Sequence, residues 1–146
     1  MKFTFNQSDM MRELQKVMGA VPTRVPMPAL SNLHVKLEGK TLELVSTDLE
    51  VTVVAKLKLT ETEGEGGVLI PAKRFQDLMR ELPDVPIEME VQESLKVELK
   101  VEGVGKFDLP GGDPIDFPEL PKVDGKLSLK TSGGTVKRMI NKTMFA

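Results

Sequence analysis

The feature that most restricts the fold of this chain is the alternation of apolar and polar residues over long stretches. Leu33, Val35 and Leu37, for example, are separated by single polar residues. The same period of two recurs at residues 42–44, 49–59, 87–91, 95–101 and 104–109. Antiparallel strands with one face against the core and one face in water produce this pattern. The sequence therefore predicts several antiparallel strands with a shared buried side.

Two segments have the period of a helix instead. In residues 8–19 the apolar side chains follow helical spacing, with Ser8 as the predicted N-cap and Gly19 as the stop signal. In residues 72–82 four apolar residues lie three and four positions apart, and Pro83 ends the pattern. Two amphipathic helices of this kind can pack side by side against the buried faces of sheets.

The order of elements repeats along the chain. A strand, a helix and three strands are followed by the same series, which begins again at Gly67. The predicted fold class is α+β, with a duplicated β-α-β-β-β unit that places two helices inside and antiparallel sheets outside. Residues 1–122 are predicted to form this domain.

The segment after the last strand, residues 109–125, is rich in Pro, Gly and Asp and is predicted to be a linker. After it, residues 126–146 repeat the strand, polar turn and helix with which the chain opens. Residues 123–146 are therefore predicted to be the end of the linker and the first strand and helix of an incomplete second domain. On this interpretation the chain is the N-terminal part of a longer protein.

The composition limits the chemistry and the compartment. The chain has 146 residues, no cysteine and one histidine, His34. A single histidine without cysteine supplies neither a metal cluster nor a catalytic triad, so no metal and no cofactor are expected. No apolar run is long enough to span a membrane and no signal peptide is evident, which predicts a cytoplasmic protein without a membrane partner.

Charge is distributed unevenly over the predicted elements. The formal net charge is -2, yet residues 126–146 hold five basic residues and no acidic one. The predicted helices are neutral to basic, whereas the strands are acidic. The basic residues on the helices are Arg12, Lys16, Lys73, Arg74, Arg80, Lys137, Arg138 and Lys142. Repeated basic helices on one face favour contact with the phosphate backbone of duplex DNA without base readout.

Two other interpretations remain open from the residues alone. Basic residues also keep helices in solution and pair with neighbouring acids, which would suit a protein-interaction scaffold unrelated to DNA. Asp48 and Glu50 lie two positions apart on a predicted strand and could serve a small hydrolase as an acid/base pair. A solvated strand edge or a turn stabilised by Asp48 explains the same two residues without catalysis.

Four stretches of the sequence resemble one known family. They are "MKFTFNQSDMMRELQKV" (1–17), "PMPALSNLHVKLEGKTLELVSTDLEV" (26–51), "VLIPAKRFQDLMREL" (68–82) and "DFPELP" (116–121). In this order they resemble the bacterial β sliding clamp of the replicative DNA polymerase. The resemblance implies a domain of two helices and two four-stranded sheets, three such domains in a subunit, and a ring of two subunits joined head to tail.

The resemblance also implies a function and partners. The ring would encircle double-stranded DNA with its helices inward and would tether the polymerase as a processivity factor, with no catalysis of its own. Polymerase and clamp loader would bind in a pocket between the second and third domains. Since this chain lacks most of the second domain and all of the third, that pocket and the complementary ring interface would be missing from it.

Site residues follow from the resemblance by position. Arg24 matches a DNA-contacting arginine of the family, in the loop after the first helix. Phe107 matches the strand edge that meets the other subunit, and Lys106 would flank it. The helix positions that would face the DNA channel are Arg12, Gln15, Lys73 and Arg80. Arg74, Lys137 and Lys142 join this DNA-binding set through the basic pattern of the helices.

Overall fold

The computed structural model describes residues 1–22, 27–119 and 128–144. The strands are β1 (Lys2–Asn6), β2 (Asn32–Glu38), β3 (Thr41–Thr47), β4 (Thr52–Lys58), β5 (Thr62–Glu63), β6 (Gly66–Pro71), β7 (Pro86–Val91), β8 (Val97–Val101) and β9 (Gly105–Leu109). The helices are α1 (Gln7–Val17), α2 (Ala72–Glu81) and α3 (Gly133–Thr143). Short 3-10 turns cover Met18–Ala20, Pro28–Ser31 and Pro114–Asp116.

The strands form two antiparallel sheets. The first sheet has the order β5-β1-β7-β8-β9, and the second has the order β4-β3-β2-β6. Each repeat gives its opening strand to the other repeat: β1 pairs with β7, and β6 pairs with β2. Neither repeat therefore contains a complete sheet of its own, and the two fold as one unit.

One hydrophobic core joins both sheets and both repeat helices. Phe3 of the first sheet and Leu44 of the second are buried in the same cluster as Leu14 of α1 and Phe75 of α2. Helix α1 packs on β3 and β4, and α2 packs on β2 and β6. The helices lie side by side because both bury an apolar stripe against this common core.

The predicted α+β class with a duplicated β-α-β-β-β unit is confirmed. The short strand β5 extends the first sheet to five strands, where four were expected. It adds two residue pairs to the outer side of β1, at Lys2 with Glu63 and Phe3 with Thr62.

The long strand predicted over residues 49–59 is wrong at its beginning. β4 starts at Thr52, and Leu49 lies in a turn with a φ of 79°. Leu49 and Val51 are exposed, although the alternation had placed them on the buried side. The turn is fixed by Asp48, whose Oδ1 accepts hydrogen bonds from the main-chain N–H groups of Glu50 and Val51 at 3.0 and 2.7 Å.

The predicted N-cap of the first helix, Ser8, is also wrong, by two residues. α1 starts at Gln7 and its N-cap position is Asn6, which makes no side-chain capping hydrogen bond. The N–H of Ser8 is instead bound by the Asp84 carboxylate at 3.1 Å, so the cap comes from a residue distant in sequence. The second helix agrees with the prediction, because Leu82 leaves the helix just before Pro83.

The C-terminal segment contains a helix but no strand in its described part. Residues 128–132 pair with no strand, and Gly133 and Gly134 form the first turn of α3 instead of a turn before it. Ser132 caps this helix by accepting the N–H of Thr135 at 3.2 Å. A strand requires a pairing partner, and residues 128–132 have none among the described residues.

After β9 the chain crosses from the first sheet to the outer side of the second. Gly112 exchanges two main-chain hydrogen bonds with Leu69 of β6, at 2.9 and 3.0 Å. Phe117 then packs against Val45 and Leu69. The ring of Phe117 lies 5.4 Å from that of His34, measured between centroids. This crossing segment, residues 110–119, therefore packs beside the partly buried His34.

Candidate nucleic-acid interface

Helices α1 and α2 carry the candidate interface on the sides that face away from the core. On α1 the buried side includes Met10, Leu14 and Val17, and on α2 it includes Phe75 and Met79. The exposed positions on the opposite sides are Arg12, Gln15, Lys16, Lys73, Arg74 and Arg80. We call these six residues the polar helix face.

The two helices are held together by a buried hydrogen bond at one end. The side-chain amide of Gln7, at the start of α1, donates to the main-chain carbonyl of Met79 in α2. Gln7 is 9% exposed, so this bond lies within the protein rather than in water. It joins the start of α1 to the C-terminal part of α2.

Local ion pairs occupy three of the basic residues. Arg12 contacts Asp9 at 2.9 Å, Lys16 contacts Glu13 at 2.7 Å, and Arg80 contacts Asp77 at 3.4 Å. All three are pairs at positions i and i+3 of a helix, and the side chains of Arg12 and Arg80 remain 64% and 58% exposed. The exposed pairs of Arg12 and Arg80 contribute only about 0–1 kcal/mol each and exchange readily for another anion, whereas Lys16 is paired with the buried Glu13.

Lys73 and Arg74 differ from Arg12, Lys16 and Arg80 in their charged neighbours. Both lie in the first turn of α2, which holds no acidic residue, and neither has an ion-pair partner within the described ranges. Pro71, at the N-cap position, makes no capping hydrogen bond. The N-terminal end of a helix already carries a partial positive charge, so two cations there raise the local potential and favour an anion.

The summed charge of helices α1 and α2 is small, although the six residues of the polar helix face include five basic ones. Helices α1 and α2 together hold five basic and four acidic residues. Helix α3 adds Lys137, Arg138 and Lys142 with no acidic residue, but it buries no side chain and its placement is not tied to the polar helix face. The structure places Arg12, Gln15, Lys73 and Arg80 at exposed positions of two adjacent helices, whereas Lys137 and Lys142 lie on α3. Arg24 lies outside the described residues.

The acidic strands are partly neutralised on the outer face of the first sheet. Lys100 on β8 donates to Glu88 at 3.0 Å and to Glu90 at 3.2 Å, both on β7. These hydrogen bonds, with that to Glu88 first, raise the pKa of Lys100 far above its ordinary value. Lys2 contacts Glu88 from the other side at 2.9 Å. These carboxylates alternate with the buried residues of β7, so they lie on the face of the sheet that points away from the core and the helices.

The predicted subunit-interface residues lie on β9, the last strand of the first sheet. Phe107 pairs with the buried Leu99 of β8 and is half-buried on the inner face. Lys106 is exposed on the outer face and contacts Glu98 at 3.4 Å. Asp108 is exposed on the outer face of the same strand, where the alternation within residues 104–109 places it beside Lys106, and it contacts Lys96 at 2.7 Å.

Asp48 and Glu50 do not form an acid/base pair on a strand. The Asp48 carboxylate is engaged by the turn that it closes, and hydrogen bonds from the N–H groups of Val51 and Glu50 hold its pKa below the ordinary value. Both residues are exposed in a turn, so the hydrolase interpretation loses its geometric basis.

Residues 1–121 match the family profile described as the DNA polymerase III beta subunit, N-terminal domain. The chain belongs to this family. DNA polymerase III beta subunits are sliding clamps that act as non-catalytic processivity factors, so the prediction that the chain is not an enzyme is confirmed. The resemblance stated from four sequence stretches is confirmed as well.

Known beta subunits are similar over the full length of this chain. A beta sliding clamp of Vibrio harveyi is 33% identical over 146 residues, and the match covers 100% of both chains. For a beta sliding clamp of Escherichia coli (strain K12) the identity is also 33%, but the chain spans only 40% of that relative's length. A crystal structure of the DNA polymerase III subunit beta from Pseudomonas aeruginosa has a TM-score of 0.92 at 34% identity, and the match covers 100% of this chain and 39% of that one.

Within the ranges that the structure describes, no helix is both long and apolar enough to cross a membrane.

Proposed function

We propose that this chain acts as the N-terminal domain of a sliding clamp, with the polar helix face turned toward double-stranded DNA. The observation that carries the proposal is the arrangement of α1 and α2. Two adjacent helices present Arg12, Gln15, Lys73 and Arg80 on the side away from the core. The family of the chain, whose members are named beta sliding clamp, supports the same assignment.

The charges of this face favour a weak contact that does not depend on base sequence. The basic side chains are paired with acids of their own helix or stand in the first turn of α2, and none is directed by a buried network that could read bases. Long, mobile cations of this kind neutralise phosphates by displacing counterions. A protein held on DNA by encirclement needs no stronger contact, because topology and not affinity keeps it in place.

The complete clamp would supply the remaining partners. We propose that 1–122 is the first domain and that 123–146 begins the second. Phe107 and Lys106 on β9 would meet another subunit of a ring, while polymerase and clamp loader would bind parts of the longer protein that this chain does not span. The site of action would be the cytoplasm, where bacterial DNA is replicated.

The proposal is tested by fluorescence anisotropy with a labelled duplex of about 20 base pairs and increasing salt. We expect weak binding in low salt, equal for unrelated sequences, with an affinity that falls steeply as salt rises. Each phosphate contact contributes about 0.9 to the slope of log K against log salt. The Lys73→Ala and Arg80→Ala variants should each reduce the affinity and lower this slope by about one contact.

A matched control is Lys36→Ala, which removes an exposed lysine from β2, on the face of the second sheet opposite the core and the helices. Its affinity and salt slope should equal those of the wild type. Binding that persists in high salt, depends on base sequence or responds equally to Lys36→Ala contradicts the assignment of the polar helix face. The scaffold interpretation predicts no duplex binding in low salt.

A further inference from the structure

Helix α1 carries an acidic residue within its apolar stripe. Glu13 lies three residues after Met10 and four before Val17, and both of these neighbours are fully buried. Glu13 itself is 7% exposed, although helical periodicity favours an apolar residue at this position. Carboxylates are rarely buried to this degree unless they are paired. Glu13 therefore departs from the pattern that builds the core, and such departures are expected at functional or strained sites.

The partner of Glu13 is Lys16, one turn further along α1 on the polar helix face. The Lys16 Nζ atom lies 2.7 Å from each of the two carboxylate oxygens. Among the described residues Glu13 has no other hydrogen-bond or ion-pair partner. A buried ion pair adds little stability relative to apolar residues of similar volume, but loss of one partner leaves an uncompensated buried charge. Departure of Lys16 toward a phosphate is therefore strongly unfavourable.

The ion pairs of Arg12 and Arg80 differ from this one in burial. The side chains of their acids, Asp9 and Asp77, are 37% and 51% exposed, whereas the side chain of Glu13 is 9% exposed. Water can solvate the two aspartates when the arginines turn to a phosphate, so these pairs exchange easily. Among the described ion pairs of the polar helix face, that of Lys16 alone is fixed by a buried carboxylate.

We propose that Glu13 withholds Lys16 from the DNA backbone and thereby lowers the affinity of the polar helix face for duplex DNA. Glu13 is a positioning residue, because it touches no DNA and acts through Lys16. The inference rests on the proposed function and specifies how the strength of that contact is set. A protein retained by encirclement must break its phosphate contacts to move along the duplex, so a withheld cation favours movement.

Glu13→Gln tests this inference, because it removes the charge and keeps the shape of the side chain. Its affinity for the labelled duplex in low salt should exceed that of the wild type. One added phosphate contact should make the affinity fall about threefold further between about 50 and 200 mM salt. Asp9→Asn and Asp77→Asn should change the salt dependence less, since Arg12 and Arg80 already exchange their partners.

Two further variants identify the cation and exclude a general effect of net charge. Glu13→Gln/Lys16→Gln should return the affinity and the salt dependence to the wild-type values. The matched control is Glu43→Gln, which makes the same change in net charge and releases Lys56 from its contact with Glu43 at 2.6 Å. Glu43 alternates with buried residues of β3, so this pair lies on the face of the second sheet opposite the helices. The control should leave duplex binding unchanged.

Thermal unfolding checks that each variant folds, and Glu13→Met, which continues the apolar stripe, replaces Glu13→Gln if that variant is unfolded. The inference is overturned if the position-13 variant binds like the wild type, or if Asp77→Asn or Glu43→Gln produces an equal gain. A double variant that keeps the gain overturns it as well. If Lys73→Ala lowers the affinity but the position-13 variant does not raise it, only this inference fails. If neither changes the affinity, the proposed function fails too.

Discussion

The Gln7 side chain supplies the hydrogen bond that Met79 cannot obtain within its own helix. The carbonyl of residue 79 would ordinarily accept from the N–H of residue 83, and that residue is Pro83, which has none. Gln7, from the start of the other repeat helix, donates to this carbonyl instead. Because Pro83 has no N–H, the Met79 carbonyl is free to accept this hydrogen bond from the start of α1.

Removal of the hydrogen bond between Gln7 and Met79 should destabilise the protein even if the side-chain volume at position 7 is kept. Gln7→Leu keeps the volume approximately and leaves the buried Met79 carbonyl without a partner, so we expect a loss of about 1–3 kcal/mol in the free energy of unfolding. Urea denaturation measures it. Gln15→Leu, at an exposed position of the same helix, is the control and should change stability by less than about 0.5 kcal/mol. An equal loss of stability in Gln7→Leu and Gln15→Leu would indicate that a change in helix propensity causes the effect and that the lost hydrogen bond does not.

Gly111 is predicted to tolerate no side chain. A Cβ at this position would lie 1.9 Å from the carbonyl oxygen of Leu95 and 2.8 Å from Cγ2 of Val68, so the crossing segment would have to move. We expect Gly111→Ala to destabilise the protein by about 3 kcal/mol, the upper end for overpacking. Gly19→Ala, where nothing lies within 4 Å of the added Cβ, should have little effect. Thermal unfolding of the two variants compares them, and similar melting temperatures would contradict the close approach.

His34 should make stability depend on pH near neutrality. Burial lowers the pKa of His34 below 6.5, nearby Lys36 lowers it further, and Glu43 opposes the shift. The unfolded chain therefore binds a proton at a higher pH than the folded protein does. Stability is greatest above the unfolded value of 6.5 and falls as the pH drops through it, until the folded imidazole is also protonated.

The pH effect is measured by urea unfolding between about pH 7.5 and 5.5, where carboxylates contribute little. The free energy of unfolding of the wild type should fall across this range. His34→Gln cannot take up the proton and should show a flatter dependence. A dependence that is equally steep in the variant would place its source at another group.

The turn between β3 and β4 should depend on Asp48 and not on Glu50. Asp48→Ala removes the acceptor of two main-chain N–H groups in a turn where Leu49 already has a positive φ, so the melting temperature should fall. Glu50→Ala should leave it unchanged. Because the folded pKa of Asp48 is lowered, the advantage of the wild type over Asp48→Ala is present above the unfolded value of 3.8 and should be lost as the pH falls through the folded value. An advantage that persists in acid would contradict this cause.

Sequence periodicity predicted the strands and helices in which apolar and polar residues lie on opposite sides. β2, β7 and α2 agree with their patterns because each has one apolar side and ordinary backbone angles. Leu49 and Val51 follow the pattern of a strand but lie in a turn, because the Asp48 carboxylate accepts hydrogen bonds from main-chain N–H groups there. The alternation of apolar and polar residues does not indicate these hydrogen bonds.

Contacts between distant residues were beyond the sequence analysis. The cap of α1 comes from Asp84, and the helix pair is joined through Gln7, neither of which has a local pattern. The polar helix face was predicted from basic residues at helical spacing, and pairing with neighbouring acids, as now seen between Arg12 and Asp9, was the alternative explanation of the same residues. The polar helix face, with Arg24 outside the described residues, stays a prediction.

The exchange of opening strands between the repeats has a consequence for synthesis on the ribosome. β1 spans Lys2–Asn6, whereas its five-residue partner β7 begins at Pro86. At about 5–20 residues per second, roughly 80 further residues take on the order of 4–16 s to make. During this interval the first strand has left or is leaving the exit tunnel without its main partner. The N-terminal strand is thus the earliest part of the nascent chain to need shielding from aggregation, and it needs that shielding until β7 emerges.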